Sequence, residues 1–129
     1  FDRKERNIFN YGHSFGHAIE AATDFGVPHG VAVTIGMDIA NFIALRIGRN
    51  KVAFARMHPG LRLNYRGFET TPVPLDSFLT ALGKDKKNVG AQLTVILPDE
   101  NDIPAKHQLV NDAALRGLCG EFLNSVRAG

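Results

Sequence analysis

One cysteine, Cys119, stands in 129 residues. No internal disulfide can form, which suits a reducing compartment, so a cytoplasmic protein is expected. An excess of one charge is lacking too. The formal net charge is +2, which gives no reason to expect bulk nucleic-acid binding. Long apolar runs are missing as well: the most apolar stretch, 31–47, is broken by Asp38, Asn41 and Arg46 and is short for a membrane span. The chain has no glycine-rich dinucleotide loop and no Walker loop, so a nucleotide cofactor would have its main binding site elsewhere. It has no internal repeat and no low-complexity linker. No signal peptide is expected. The opening Phe1-Asp2-Arg3-Lys4, without methionine, is expected of a piece of a longer protein.

What is present reads as one domain, 1–129, with 44% hydrophobic residues and enough length to bury a real core. A first helix is predicted over 10–23, with Phe15, Ala18, Ile19 and Ala22 as its core stripe. Gly26 and Pro28 end it. A second helix is predicted over 30–47. It is apolar nearly all round and therefore central, with Gly48 as its terminating glycine. The spacing predicts a short helix over 50–57 capped by Asn50 and disturbed by Pro59 and Gly60, then a loop with a helical turn over 61–71. A helix over 74–82 follows, with Leu75, Phe78, Leu79 and Leu82 at helical spacing. Gly83 to Gly90 reads as a basic loop. The stretch 92–97 reads as a strand and 106–110 as its returning partner. Asn111 is expected to cap a last helix to about residue 126, with Leu115, Leu118, Phe122 and Val126 facing in. The fold class is mainly α with one small β-hairpin.

The chemistry gathers in residues 10–36, which hold three of the five histidines. On a helix, residues three and four apart share a face, so Asn10, His13, His17 and Glu20 line up. Arg6 joins that face. His29 follows the Gly/Pro turn and can swing back toward His13. Imidazoles with an amide and a carboxylate can hold a metal or shuttle protons. Taken alone, His13 and His17 form a two-histidine clip. The clip lacks the neighbouring glutamate of a zinc peptidase. A catalytic zinc takes three protein ligands and keeps one open position. Glu20 is the one well-placed carboxylate in the stretch; otherwise the third ligand comes from elsewhere. Lys84, Lys86 and Lys87 suit a phosphate or carboxylate, and Arg6 can fork onto a carboxylate. His58 and His107 have no partners in sequence and are expected at the surface, and Cys119 in the core.

These residues resemble the signature of 3-dehydroquinate synthase and its sugar-phosphate cyclase relatives. The matching positions are Arg6, Asn10, Gly12, His13, Gly16, His17 and Glu20, then His29 and Gly30, then Asp85, Lys86 and Lys87. The whole chain is similar to the helical C-terminal domain of that fold. The first 32 or so residues carry the specific match. Val31 stands where the family usually has glutamate, Phe9 where it usually has leucine, and 58–71 departs from the common form.

The resemblance implies a lyase of the shikimate pathway, and hence of aromatic amino acid biosynthesis. It would convert 3-deoxy-arabino-heptulosonate 7-phosphate to 3-dehydroquinate with loss of phosphate. It implies NAD, held mainly by the protein's own N-terminal domain, and zinc or another divalent metal such as cobalt. It further implies a homodimer in the full-length form. The metal would be held by His13 and His29 with a glutamate from the other domain. His17 would then be catalytic, in proton relay and at the phosphate, rather than part of a clip. Arg6, Asn10, His17 and one of Lys86 or Lys87 would bind substrate. The 129 residues alone are then expected to be inactive. The rival expectations are another cyclase, of the 2-deoxy-scyllo-inosose or valiolone type, and a metal-binding helical module with no chemistry of its own. Arg6 favours a carboxylated substrate.

Overall fold

The structure is a computed structural model, and it describes residues 11–84 and 92–129. Five α-helices and an antiparallel two-stranded hairpin follow one another in it: α1 (His13–Ala22), α2 (His29–Arg46), α3 (Ala53–Asn64), α4 (Leu75–Gly83), β1 (Gln92–Pro98), β2 (Pro104–Val110) and α5 (Ala113–Glu121). A π-helical segment, Phe122–Val126, extends α5. The mainly helical reading with one hairpin is what the chain adopts.

Helix α2 is the axis of the domain. It packs against α1, α3, α5 and β1. Ala32, Ile35, Ile39, Ala40, Phe42, Ile43 and Ala44 are buried around its circumference, as its all-round apolar sequence demands. It ends at Gly48, whose φ of 79° is the left-handed stop glycine supplies most readily. The α1 stripe of Phe15, Ala18 and Ile19 closes on α2 and α4, where Phe15 stacks on Phe78 at a centroid distance of 6.5 Å.

The contact between α1 and α2 is unusually close. A Cβ on Gly36 would lie 2.2 Å from the Gly12 carbonyl oxygen. Gly12, at φ 81°, precedes α1, and a Cβ there would meet Val33 O and Met37 N at 2.7 and 2.8 Å. Backbone therefore meets backbone where α1 begins.

The hairpin pairs Gln92 with Val110 through Pro98 with Pro104. Leu93, Val95 and Leu97 of β1 face the core.

Three expectations need correction. The short 50–57 helix and the 61–71 loop are replaced by one helix, α3, which runs through Pro59 to Asn64. Phe54, Met57, Leu61 and the following Tyr65 sit at helical spacing on the core. That packing outweighs the proline's loss of one backbone bond. Asn50 still starts the element, its Oδ1 accepting from the backbone N–H of Val52 (2.9 Å) and Ala53 (2.8 Å). The last helix is capped by Asp112 rather than Asn111, through a 3.0 Å bond from the Leu115 N–H. His58 is not a free surface residue. Its Nδ1 lies 2.6 Å from Oδ2 of Asp38, a wholly buried carboxylate that also accepts from the Tyr65 hydroxyl at 2.7 Å. Cys119 is buried, as expected, and burial pushes its thiol up to about 12. His107 is half-buried on β2, where burial and Arg49 lower its pKa.

Candidate functional site

Two helix starts and one helix end build the site. His13 is the first residue of α1 and His29 the first of α2; His17 and Glu20 follow on α1. The α1 end turns through Thr23 with Asp24 and Phe25 both left-handed, at φ 52° and 60°. The Phe25 N–H returns to Glu20 O at 2.7 Å. Non-glycine residues rarely take that conformation. Here the turn brings His29 back over the side of α1 that carries His17 and Glu20.

The three imidazoles form a triangle. Ring centroids lie 5.8 Å apart for His13–His17, 5.8 Å for His13–His29 and 6.0 Å for His17–His29. Nitrogens of His17 and His29 and a carboxylate oxygen of Glu20 all come within 4.8 Å of one another. The expected convergence of the histidine face with the turn-borne His29 is therefore present.

The rings differ in what holds them. Nδ1 of His29 is 3.2 Å from both oxygens of Glu20, a carboxylate only 8% exposed. Nδ1 of His13 is buried without a well-formed hydrogen bond among the described residues. Burial, and then His17 and His29, lower the His13 pKa, although the adjoining Tyr11 backbone and Glu20 act the other way. A neutral His13 ring has a lone pair for a cation. His17 is exposed, and no hydrogen bond to its ring is seen among the described residues. Metal-bound histidines almost always anchor their second nitrogen on a carboxylate, carbonyl or water. By that criterion His29 is the best braced of the three rings, and Glu20 is occupied in bracing it.

Arg6, Asn10, Lys86 and Lys87 lie outside the described residues. The other expected site residues, His13, His17 and His29, are brought together. Sequence reasoning missed Tyr11, whose hydroxyl bonds Asn41 of α2. It also missed the buried Asp38–His58–Tyr65 group between α2 and α3. The signal for both was polar residues, Asp38 and Asn41, inside an otherwise apolar helix. A separate cleft, of about 620 Å³ and lined by Ile47, Arg49, His107, Leu109 and Leu118, lies by the far end of α2 and includes none of the three histidines.

Residues 1–88 match the family described as 3-dehydroquinate synthase C-terminal. The chain is 34% identical over 117 residues to 3-dehydroquinate synthase of Corynebacterium jeikeium, covering 86% of this chain and 30% of that one. It is 40% identical over 102 residues to the Helicobacter pylori (strain G27) enzyme of that name, covering 75% and 30%. Identity to the Tropheryma whipplei enzyme is 33% over 130 residues, covering 97% and 33%. Among solved structures, 2-deoxy-scyllo-inosose synthase complexed with carbaglucose-6-phosphate, NAD+ and Co2+ matches with a TM-score of 0.71 and 27% identity, over 95% of this chain and 35% of that one. The chain thus spans about a third of the length of these relatives.

Proposed function

This chain belongs to the 3-dehydroquinate synthase C-terminal family, and on that premise we propose that it is the metal- and substrate-binding half of a 3-dehydroquinate synthase. The protein carrying it would turn 3-deoxy-arabino-heptulosonate 7-phosphate into 3-dehydroquinate, releasing phosphate. A further domain of the same protein would bind NAD, and the reaction would run in the cytoplasm, in a homodimer. The observation that carries this reading is the imidazole triangle, in which His29 is braced by Glu20 and His17 has no brace among the described residues.

Division of labour follows from that difference. His13 and His29 are the residues that would hold the divalent metal, zinc or cobalt, with a third ligand from the other domain. The donor set fits: imidazole suits both metals, and the buried Nδ1 of His13, without a well-formed hydrogen bond among the described residues, together with the depressed pKa of that ring, favours the neutral form that binds them. When bound, the metal would polarise substrate oxygens while NAD supplies a reversible hydride acceptor. His17, exposed and without a hydrogen bond to its ring among the described residues, is free to accept a proton at one ring nitrogen and donate it again. Arg6, Asn10 and one of Lys86 or Lys87 would hold the carboxylate and phosphate. His17 and His29 are exposed on this chain; a second domain over them would exclude water and strengthen every polar contact there.

A second reading, another sugar-phosphate cyclase, is favoured by the similarity to 2-deoxy-scyllo-inosose synthase. The two substrates differ in the carboxylate. A hydrogen bond to a charged group contributes roughly 1.5–3 kcal/mol, about ten- to a hundredfold in kcat/KM. Lysine cannot copy the arginine fork. The test supplies the full-length protein with NAD, Zn2+ or Co2+ and either the heptulosonate phosphate or glucose 6-phosphate. Phosphate release and dehydroquinate from the first, with that loss in Arg6→Lys, are expected. Turnover of glucose 6-phosphate alone would favour the second reading.

A further inference from the structure

Asn41 sits in the middle of α2 and is 0% exposed, between Ala40 and Phe42 in the core. An amide there carries a desolvation cost that an apolar side chain would not, and it persists only if its polar atoms are bonded. Among the described residues its Nδ2 reaches only Met57 Sδ, at 3.4 Å, a weak acceptor. Its Oδ1 accepts from the Tyr11 hydroxyl, across thirty residues of chain. The strong bond of Asn41 therefore goes to Tyr11.

Tyr11 is two residues from His13, and the residue between them has no slack. Gly12 is held left-handed at φ 81° against Val33 O and Met37 N. The Tyr11 backbone also adjoins the His13 ring. The phenol is half-buried and donates its hydroxyl to Asn41. A fixed phenol, a fixed glycine and a helix start then leave the His13 imidazole little freedom. His29 gets the same service from Glu20 by a different route, through its own ring nitrogen.

We propose that Tyr11 and Asn41 are positioning residues for His13. In this arrangement, Asn41 anchors the Tyr11 ring in the core, and the Tyr11–Gly12 backbone aims the His13 imidazole at the cation. The inference rests on the reading of His13 as a metal ligand. It adds two residues that touch neither metal nor substrate and that act from the interior of α2.

The test uses the full-length protein and Co2+ as the probe, in wild type, Tyr11→Phe, Asn41→Leu and His13→Ala. Cobalt affinity is read by competition with a chelator, cobalt geometry by the visible spectrum, and fold stability by thermal unfolding without metal. Loss of a supporting partner of a ligand costs about ten- to a hundredfold in metal affinity. Tyr11→Phe, which removes one hydroxyl and keeps the ring, should weaken cobalt binding by that factor and shift the visible bands. Asn41→Leu should do the same if it folds; Tyr11→Phe decides if it does not. A lowered melting temperature with unchanged cobalt affinity and spectrum would make the pair merely structural and overturn the proposal. Full cobalt binding by His13→Ala would overturn the ligand reading and this inference with it. Loss in His13→Ala with no change in Tyr11→Phe would overturn the positioning role alone.

Discussion

His29 and Glu20 hold each other by one ring nitrogen and two carboxylate oxygens, each oxygen 3.2 Å from Nδ1. The carboxylate is on α1 and the imidazole opens α2, so the bond also closes the turn between the helices. It fixes which nitrogen of His29 remains for chemistry: Nε2. It also answers a question the sequence left open, namely what Glu20 does on the histidine face. In this arrangement it braces a histidine.

Glu20→Gln keeps an acceptor and removes the charge, and Glu20→Ala removes both. If Glu20 acts through His29, metal affinity should fall modestly in the first variant and about ten- to a hundredfold in the second. Isothermal titration of the metal-free full-length protein with Zn2+ measures this. Equal affinity in Glu20→Ala and wild type would show that His29 needs no brace.

Gly36→Ala places a methyl group 2.2 Å from the Gly12 carbonyl oxygen, with backbone rather than a flexible side chain on the other side. The helices must part at the point where His13 begins α1. Overpacking of this kind costs about 1–3 kcal/mol. The urea midpoint should fall accordingly, with the slope unchanged. An unaltered midpoint would mean that α1 moves aside freely.

Asp38 tests the buried group between α2 and α3. Burial raises its pKa; Tyr65, His58 and Arg62 act against that, in this order, without cancelling it. Asp38 in turn acts on Tyr11. A carboxylate whose folded pKa is raised binds its proton more tightly in the fold. Its contribution is fully present below the unfolded pKa and is lost as pH rises through the folded one. Asp38→Asn never ionises. The melting temperature of wild type minus that of Asp38→Asn should therefore shrink as pH rises from about 4, the unfolded carboxylate value, toward 7. A difference that grows with pH would mean that Tyr65, His58 and Arg62 outweigh burial and favour the ionised carboxylate.

Much of the fold was legible because local rules agreed with packing. The all-round apolar 31–45 stretch became the axis α2, and β-branched 92–97 became β1. The histidine triangle was legible from spacing, since His13 and His17 are one helical turn apart and a Gly/Pro turn precedes His29. Helix α3 was not, because Pro59 is a local veto and the anchors that override it, Leu61 and Tyr65, act only once α2 is in place. The bonds Tyr11–Asn41, His58–Asp38 and Tyr65–Asp38 join residues twenty to thirty positions apart. No periodicity announces such pairs. The left-handed Asp24 and Phe25 were also hidden, since the sequence offers Gly26 as the obvious turn residue.

The most direct test of the account is the metal content of three variants of the full-length protein, His13→Ala, His17→Ala and His29→Ala, set beside their turnover. We expect His13→Ala and His29→Ala to lose metal and activity together. His17→Ala should keep a full equivalent of metal and lose rate, since the proposal gives its ring the proton transfer and not the metal. Loss of metal in His17→Ala with retention in His13→Ala would contradict the account and assign the site to His17, Glu20 and His29 instead.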